Sequence, residues 1–148
     1  MADPFSLAAN AVGVISLGIT VCHGLIGYCQ AFAGQYGDIR LALQDLQDLE
    51  KSLLSLRETL KLMALSRPDL LNLVTPNIGT LKCCIDDLHP VLSKLEKNDS
   101  EHASLKDKVK SITQRTLYPF KTGMIEKLRD TVRHAQDNLT LALGIVQV

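Results

Sequence analysis

The chain has 148 residues, 46% apolar but only 4% aromatic, with no Trp, and its 16 Lys and Arg balance its 16 Asp and Glu. That length suits one domain with a sizeable core. A net charge of zero gives no bulk field for nucleic acid, and a Leu-rich, aromatic-poor composition favours helices over sheets.

The first predicted element covers residues 4–33. Asp3 is the only Asp, Glu, Lys or Arg in residues 1–37. Residues 7–26, LAANAVGVISLGITVCHGLI, match the roughly twenty residues that span a bilayer core as a helix. On a helical wheel Leu7, Val14, Val21, Leu25 and Phe32 gather on one side. Ser6, Ala9, Asn10, Gly13, Ser16, Thr20, His23, Gly24, Gly27 and Gln30 take the other. Ala9 and Gly13, Gly18 and Cys22, and Gly27 and Ala31 have the four-residue spacing that lets helices approach closely in lipid. Each glycine lowers helix stability by roughly 1 kcal/mol relative to Ala. The stretch suits a bundle core or a membrane span, and is marginal as either. It lacks a basic region before its apolar run, which makes it a poor secretory signal.

Asp38 is the expected N-cap of a second helix after the Gly34 and Gly37 turn. Ile39, Ala42, Leu46, Leu49, Leu53, Leu56, Leu60 and Met63 alternate in steps of three and four, which predicts one buried stripe. Leu43, Leu54 and Leu62 widen it toward several neighbours rather than a two-stranded coiled coil. Pro68, Pro76 and Pro90 punctuate the next thirty or so residues. Residues 69–75 are expected to form a short helix kinked or ended at Pro76, and residues 77–97 another, on Ile78, Leu81, Ile85, Leu88, Leu92 and Leu95. The charged stretch 94–101 is expected to be a turn. Residues 103–116 predict an outer helix, and residues 117–120 a turn. A last helix over 122–147 buries Ile125, Leu128, Val132, Ala135, Leu139, Leu143 and Val146. The fold class is therefore all-α, an antiparallel bundle of four to five helices in a single domain over residues 1–148.

Catalytic chemistry finds no foothold in this pattern. Cys83, Cys84, Asp87 and His89 lie close together, but no second cluster completes a metal site. Cys22 and His23 are adjacent, so on a helix they point about 100° apart, a poor nucleophile–base pair. No Gly-rich phosphate loop follows a strand. No enzyme activity, cofactor or metal is expected. Cys22, Cys29, Cys83 and Cys84 show no disulfide spacing, which predicts reduced thiols and an intracellular protein. Residues 94–133 hold ten Lys or Arg against six Asp or Glu, a mildly basic surface for anionic lipid or ordinary solvation.

Two stretches carry a resemblance. The opening MADPFSLAANAVGVISLGITVCHGLIGYCQAF and the closing LYPFKTGMIEKLRDTVRHAQDNLTLAL look like the fungal HeLo-like domain, the N-terminal domain of fungal STAND and NLR-like proteins. The Tyr-Pro-Phe-Lys turn at 118–121 and the Asn-Leu-x-x-Ala-Leu run at 138–143 belong to that ordered set, which covers essentially the whole chain. Gly123 departs from it, falling where many relatives start the last helix with Ser or Thr. The resemblance implies a bundle related to HeLo cell-death domains of the HET-S kind. It implies a cytoplasmic effector that moves to the plasma membrane when clustered and triggers regulated cell death through its N-terminal helix. The implied inserting residues are Leu7, Ala9, Gly13, Val14, Leu17, Gly18, Val21, Gly24 and Leu25, in residues 1–36, with residues 38–148 as the remaining bundle. Lys106, Lys108, Lys110, Arg115 and Lys121 are the implied lipid contacts. The expected partners are membrane lipids, other copies of the domain, and a nucleotide-binding oligomerisation module or amyloid-forming motif further along the chain, with no nucleic acid. In the resting state the first helix is expected to pack Leu7, Val14, Val21 and Leu25 against the second and last helices. The alternative is a non-lytic module that self-associates through Leu46, Leu53 and Leu60.

Overall fold

A computed structural model describes residues 4–34, 36–103 and 123–147, and within them the side chains outside residues 4–5 and 98–103. The predicted outer helix after Ala103, the turn at 117–120 and the Asp3 cap lie outside the described residues, as does Thr122. Four helices are described: α1 (Pro4–Phe32), α2 (Gly37–Ser66), α3 (Pro68–Ala103) and α4 (Met124–Val146), with no strand among the described residues.

The order around the bundle follows from the contacts. α1 packs on α2 and α3, α4 packs on the other sides of the same two, and α1 and α4 stand diagonally opposite. Consecutive helices run in opposite directions. The pairings Asp45 with Arg129 and Ser52 with Gln136 have one constant offset, so α2 and α4 lie parallel. Gly18 faces both Leu53 of α2 and Ile85 of α3, and Gly24 faces Leu92, so α1 and α3 also run parallel. The expected packing of α1 against the last helix is thus overturned: α3 takes that place.

α2 is the central helix. All eight residues of its predicted stripe, Ile39 to Met63, are buried. Leu54 and Leu62 do not widen that stripe into the core; they are exposed, and Leu43 is half-buried. The reason is geometric: α1 and α4 flank α2 on two sides only, and its third side faces solvent. Asp38 is not the cap either. The helix starts at Gly37 with Tyr36 in extended conformation at the cap position, and Asp38 accepts a bond from the Ile39 N–H inside the first turn.

α3 corrects two further expectations. It runs unbroken through Pro76 and Pro90 and continues across the predicted turn at 94–101. Each proline removes one helical hydrogen bond at a cost of about 3 kcal/mol. Both proline rings are exposed, while Val74 and Ile78 flank one and Leu88 and Leu92 the other, all buried. Burial on both sides of each proline, at ~1.5–3 kcal/mol per large side chain, outweighs the local loss. α4 begins after Gly123 at φ 82, with no side-chain cap. The left-handed value explains the glycine where Ser or Thr is the expected helix start.

Polar contacts fasten α4. Arg129 donates to Asp45 at 3.0 Å, Gln136 to Ser52 at 2.9 Å, and the Asn77 and Asn138 side chains exchange bonds at 3.1 and 2.7 Å, the latter to the Asn77 carbonyl. Asn138 is buried, so it fixes the register of α4 as a polar core residue does in coiled coils. An Asn138→Ala substitution is expected to lower stability by roughly 1–3 kcal/mol, read as a shifted urea midpoint with unchanged slope.

Candidate functional site

The candidate site is α1 and the way it is held. Its buried seam is Ala8, Ala11, Ile15, Gly18, Cys22, Leu25 and Cys29, again in steps of three and four. Val21 and Ile26 are buried beside it. Five of the seven seam residues are small, so α1 sits close to its neighbours. A Cβ on Gly18 would lie 2.9 Å from Ile85 Cδ1 and 3.3 Å from Leu53 Cδ1, and one on Gly24 would lie 2.9 Å from both Leu92 methyls.

The residues assigned to membrane insertion divide three ways. Gly18, Val21 and Leu25 are buried; Leu7, Val14 and Gly24 are half-buried; Ala9, Gly13 and Leu17 are exposed. The bulky side of the wheel therefore predicts the core only in part, because Leu7, Val14 and Phe32 flank the seam rather than form it. Ile15, fully buried, and Ile26 are the large residues that sequence reasoning misses. The signal for Ile15 is the step pattern shared with small residues, which a wheel weighted toward bulk passes over. Lys106, Lys108, Lys110, Arg115 and Lys121 lie outside the described residues.

The outward face of α1 carries no charge. Ser6, Asn10, Gly13, Leu17, Thr20 and Gly27 are exposed or nearly so, and Thr20 turns its hydroxyl back to the Ser16 carbonyl at 3.0 Å. Residues Ser6–Phe32 are long and apolar enough to cross a membrane, yet only 39% of their most apolar window is buried in the bundle. α2, with eight buried residues of 30, is no more enclosed, so what sets α1 apart is the absence of Asp, Glu, Lys and Arg from the face it leaves exposed.

The mooring of α1 also differs from that of α4. Among the described residues 6–27, the one polar side-chain contact with another helix is long, His23 Nδ1 to Glu50 Oε2 at 3.8 Å, and that Glu50 oxygen is buried without a hydrogen bond. Apolar packing does the rest. Ile15, Val21, Leu25 and Ile26 together contribute roughly 6–12 kcal/mol by burial, so spontaneous release is rare and needs compensation elsewhere. Packing leaves a gap near the start of the helix. A half-open cavity of about 130 Å³ is lined there by Leu7, Asn10 and Ala11 with Leu60, Leu71, Val74, Thr75 and Ile78.

Catalytic groups do not converge. No group of three metal-ligating side chains is found among the described residues. Cys83 is exposed, while Cys84 is buried and its thiol pKa is raised chiefly by desolvation.

No family model matches the chain, and no solved structure does. Among curated proteins it is similar to the azaphilone pigments biosynthesis cluster protein L of Monascus ruber, with 28% identity over 143 residues, 93% of this chain. The chain spans 29% of the length of that relative.

Proposed function

We propose that this chain is a HeLo-like effector domain of a fungal STAND or NLR-like receptor, which triggers regulated cell death by inserting α1 into a membrane after clustering. The observation that carries this reading is α1 itself: free of Asp, Glu, Lys and Arg, of spanning length, with an exposed face of small and apolar residues, and held over residues 6–27 chiefly by apolar packing. The fungal relative and its much greater length agree with a domain of a longer fungal protein. Clustering raises the local concentration of domains, and mass action then favours a released state that many helices share. A bilayer offers the released apolar side chains a second place away from water, which offsets the burial lost from the bundle. The domain works without catalysis or cofactor, resting in the cytoplasm and moving to the plasma membrane. Its partners are lipid, other copies, and the oligomerising region further along the chain.

The self-associating alternative relies on Leu46, Leu53 and Leu60. All three are fully buried inside the bundle, so that stripe is already occupied. The deciding experiment is dye release from liposomes, with the intact domain compared with one beginning at Tyr36, each also fused to a forced oligomer. Leakage is expected to need both residues 1–35 and clustering. Absence of leakage in every form, with a helical intact domain by circular dichroism, would sink the proposal.

A further inference from the structure

One end of the bundle is almost bare of charge. It is built from the start of α1, the end of α2, the start of α3 and the end of α4, as the cavity lining and the Asn77–Asn138 pair establish. Residues 4–22, 62–66, 70–81 and 138–147 contain no Asp, Glu, Lys or Arg. Among the described residues one basic and one acidic side chain sit at the tip, Arg67 and Asp69. They neutralise each other through two bonds, at 3.2 and 3.1 Å, and the guanidinium holds the Asp69 carboxyl below its ordinary pKa.

The same end carries the most exposed leucines among the described residues: Leu65 at 78%, Leu62 at 69%, Leu141 at 66% and Leu73 at 59%. At 1.5 Å per residue, all four lie within about 15 Å of the α2–α3 junction along the bundle axis. They come from three helices on different sides of the bundle, so they belong to its end rather than to one side. A soluble bundle ordinarily places charge at such exposed positions, and a cluster of exposed apolar side chains marks an interaction surface.

We infer that this end is the surface through which the otherwise cytoplasmic domain makes a weak, reversible contact with a bilayer before clustering drives insertion, and that it docks by apolar contact with uncharged lipid rather than by basic side chains. Two features select lipid as occupant. Among the described residues the end has no net charge, which complements a zwitterionic interface and offers anionic lipid nothing. It is also continuous with α1, whose N-terminal turns start at this end, beside the cavity, and so meet the membrane first. The inference rests on the membrane-acting reading of α1 and names the face through which it operates. The mildly basic stretch 94–133 then has no part in docking.

Flotation of the unclustered domain with phosphatidylcholine vesicles tests this. Binding is expected without anionic lipid, and raising salt from about 50 to about 500 mM is expected to change it by less than about twofold. The double variant L65E/L73E, both positions being exposed, is expected to keep its helicity and lose about tenfold or more in binding. L41E, also at an exposed leucine but near the opposite end, is expected to bind as the parent does. Parent-like flotation of L65E/L73E overturns the inference, as does binding that requires phosphatidylserine and vanishes in salt. So does a lipid-free dimer in sedimentation that L65E/L73E dissolves, since the occupant would then be a second copy. If clustered L65E/L73E leaks dye like the parent, the docking end is wrong while the effector reading survives. If clustered Leu17→Glu leaks like the parent, the effector reading fails whatever flotation shows.

Discussion

Gly13→Glu and Leu17→Glu are expected to abolish dye release while leaving the resting fold intact or firmer. The structure separates these two effects. A Cβ at Gly13 meets nothing within 4 Å, and Leu17 is 44% exposed, so neither carboxylate enters the core. Replacing a mid-helix glycine also gains roughly 0.5–1 kcal/mol of helix stability. In the bilayer the balance reverses. Leu17 lies at the middle of residues 7–26, and a charge there costs about 2.5–3.5 kcal/mol on insertion scales, about a hundredfold per helix, repeated for every helix in an assembly. Gly13→Ala provides the control: it raises stability similarly and keeps leakage. Leakage is read from clustered domain on liposomes, and stability from urea unfolding of the same preparations. Loss of leakage together with loss of stability would mean only that the fold was damaged. Retained leakage in the glutamate variants would rule out insertion of α1.

The parts of this molecule that the sequence discloses are those governed by one strong regularity. In α2 the leucine steps are so complete that buried and predicted residues coincide at all eight positions. In α4 Ile125, Leu128, Val132, Ala135, Leu139 and Val146 are buried as predicted, while Leu143 is only half-buried and Asn138 and Ala142 are added by the structure. Reading fails where two local rules compete. Pro76 and Pro90 are helix breakers in isolation, but tertiary burial on either side carries α3 through them. In α1 nearly every residue is small or apolar, so the wheel has little contrast, and the seam falls on Ala, Gly and Cys that weigh little in it. The bare end of the bundle is legible only after folding, because residues 4–22, the adjoining 62–66 and 70–81, and 138–147 are far apart in the chain and the topology brings them together.

The contact between α1 and α2 sets how readily the effector opens, and Leu53 probes it. Leu53 is fully buried, and its Cδ1 faces Gly18 across the α1–α2 interface. Leu53→Ala is expected to cost roughly 2–5 kcal/mol, from lost burial and the cavity left behind. Gly18→Ala alone is expected to change little. The added methyl improves helix propensity by about 1 kcal/mol, while Ile85 Cδ1 at 2.9 Å must shift, which the flexible end of that side chain permits. In the Leu53→Ala background the methyl enters vacated space and one of its close neighbours is gone. The double variant is therefore expected to recover about 1 kcal/mol more than additivity allows, a coupling readable in a double-mutant cycle. Leu53→Ala loosens the mooring of α1 without touching its outward face. It is accordingly expected to lower the degree of clustering needed for leakage, with Gly18→Ala restoring the threshold in part. Additive stabilities would show that Gly18 and Leu53 do not meet. An unchanged threshold, with stability lowered as expected, would show that release of α1 from α2 is not the step that clustering drives.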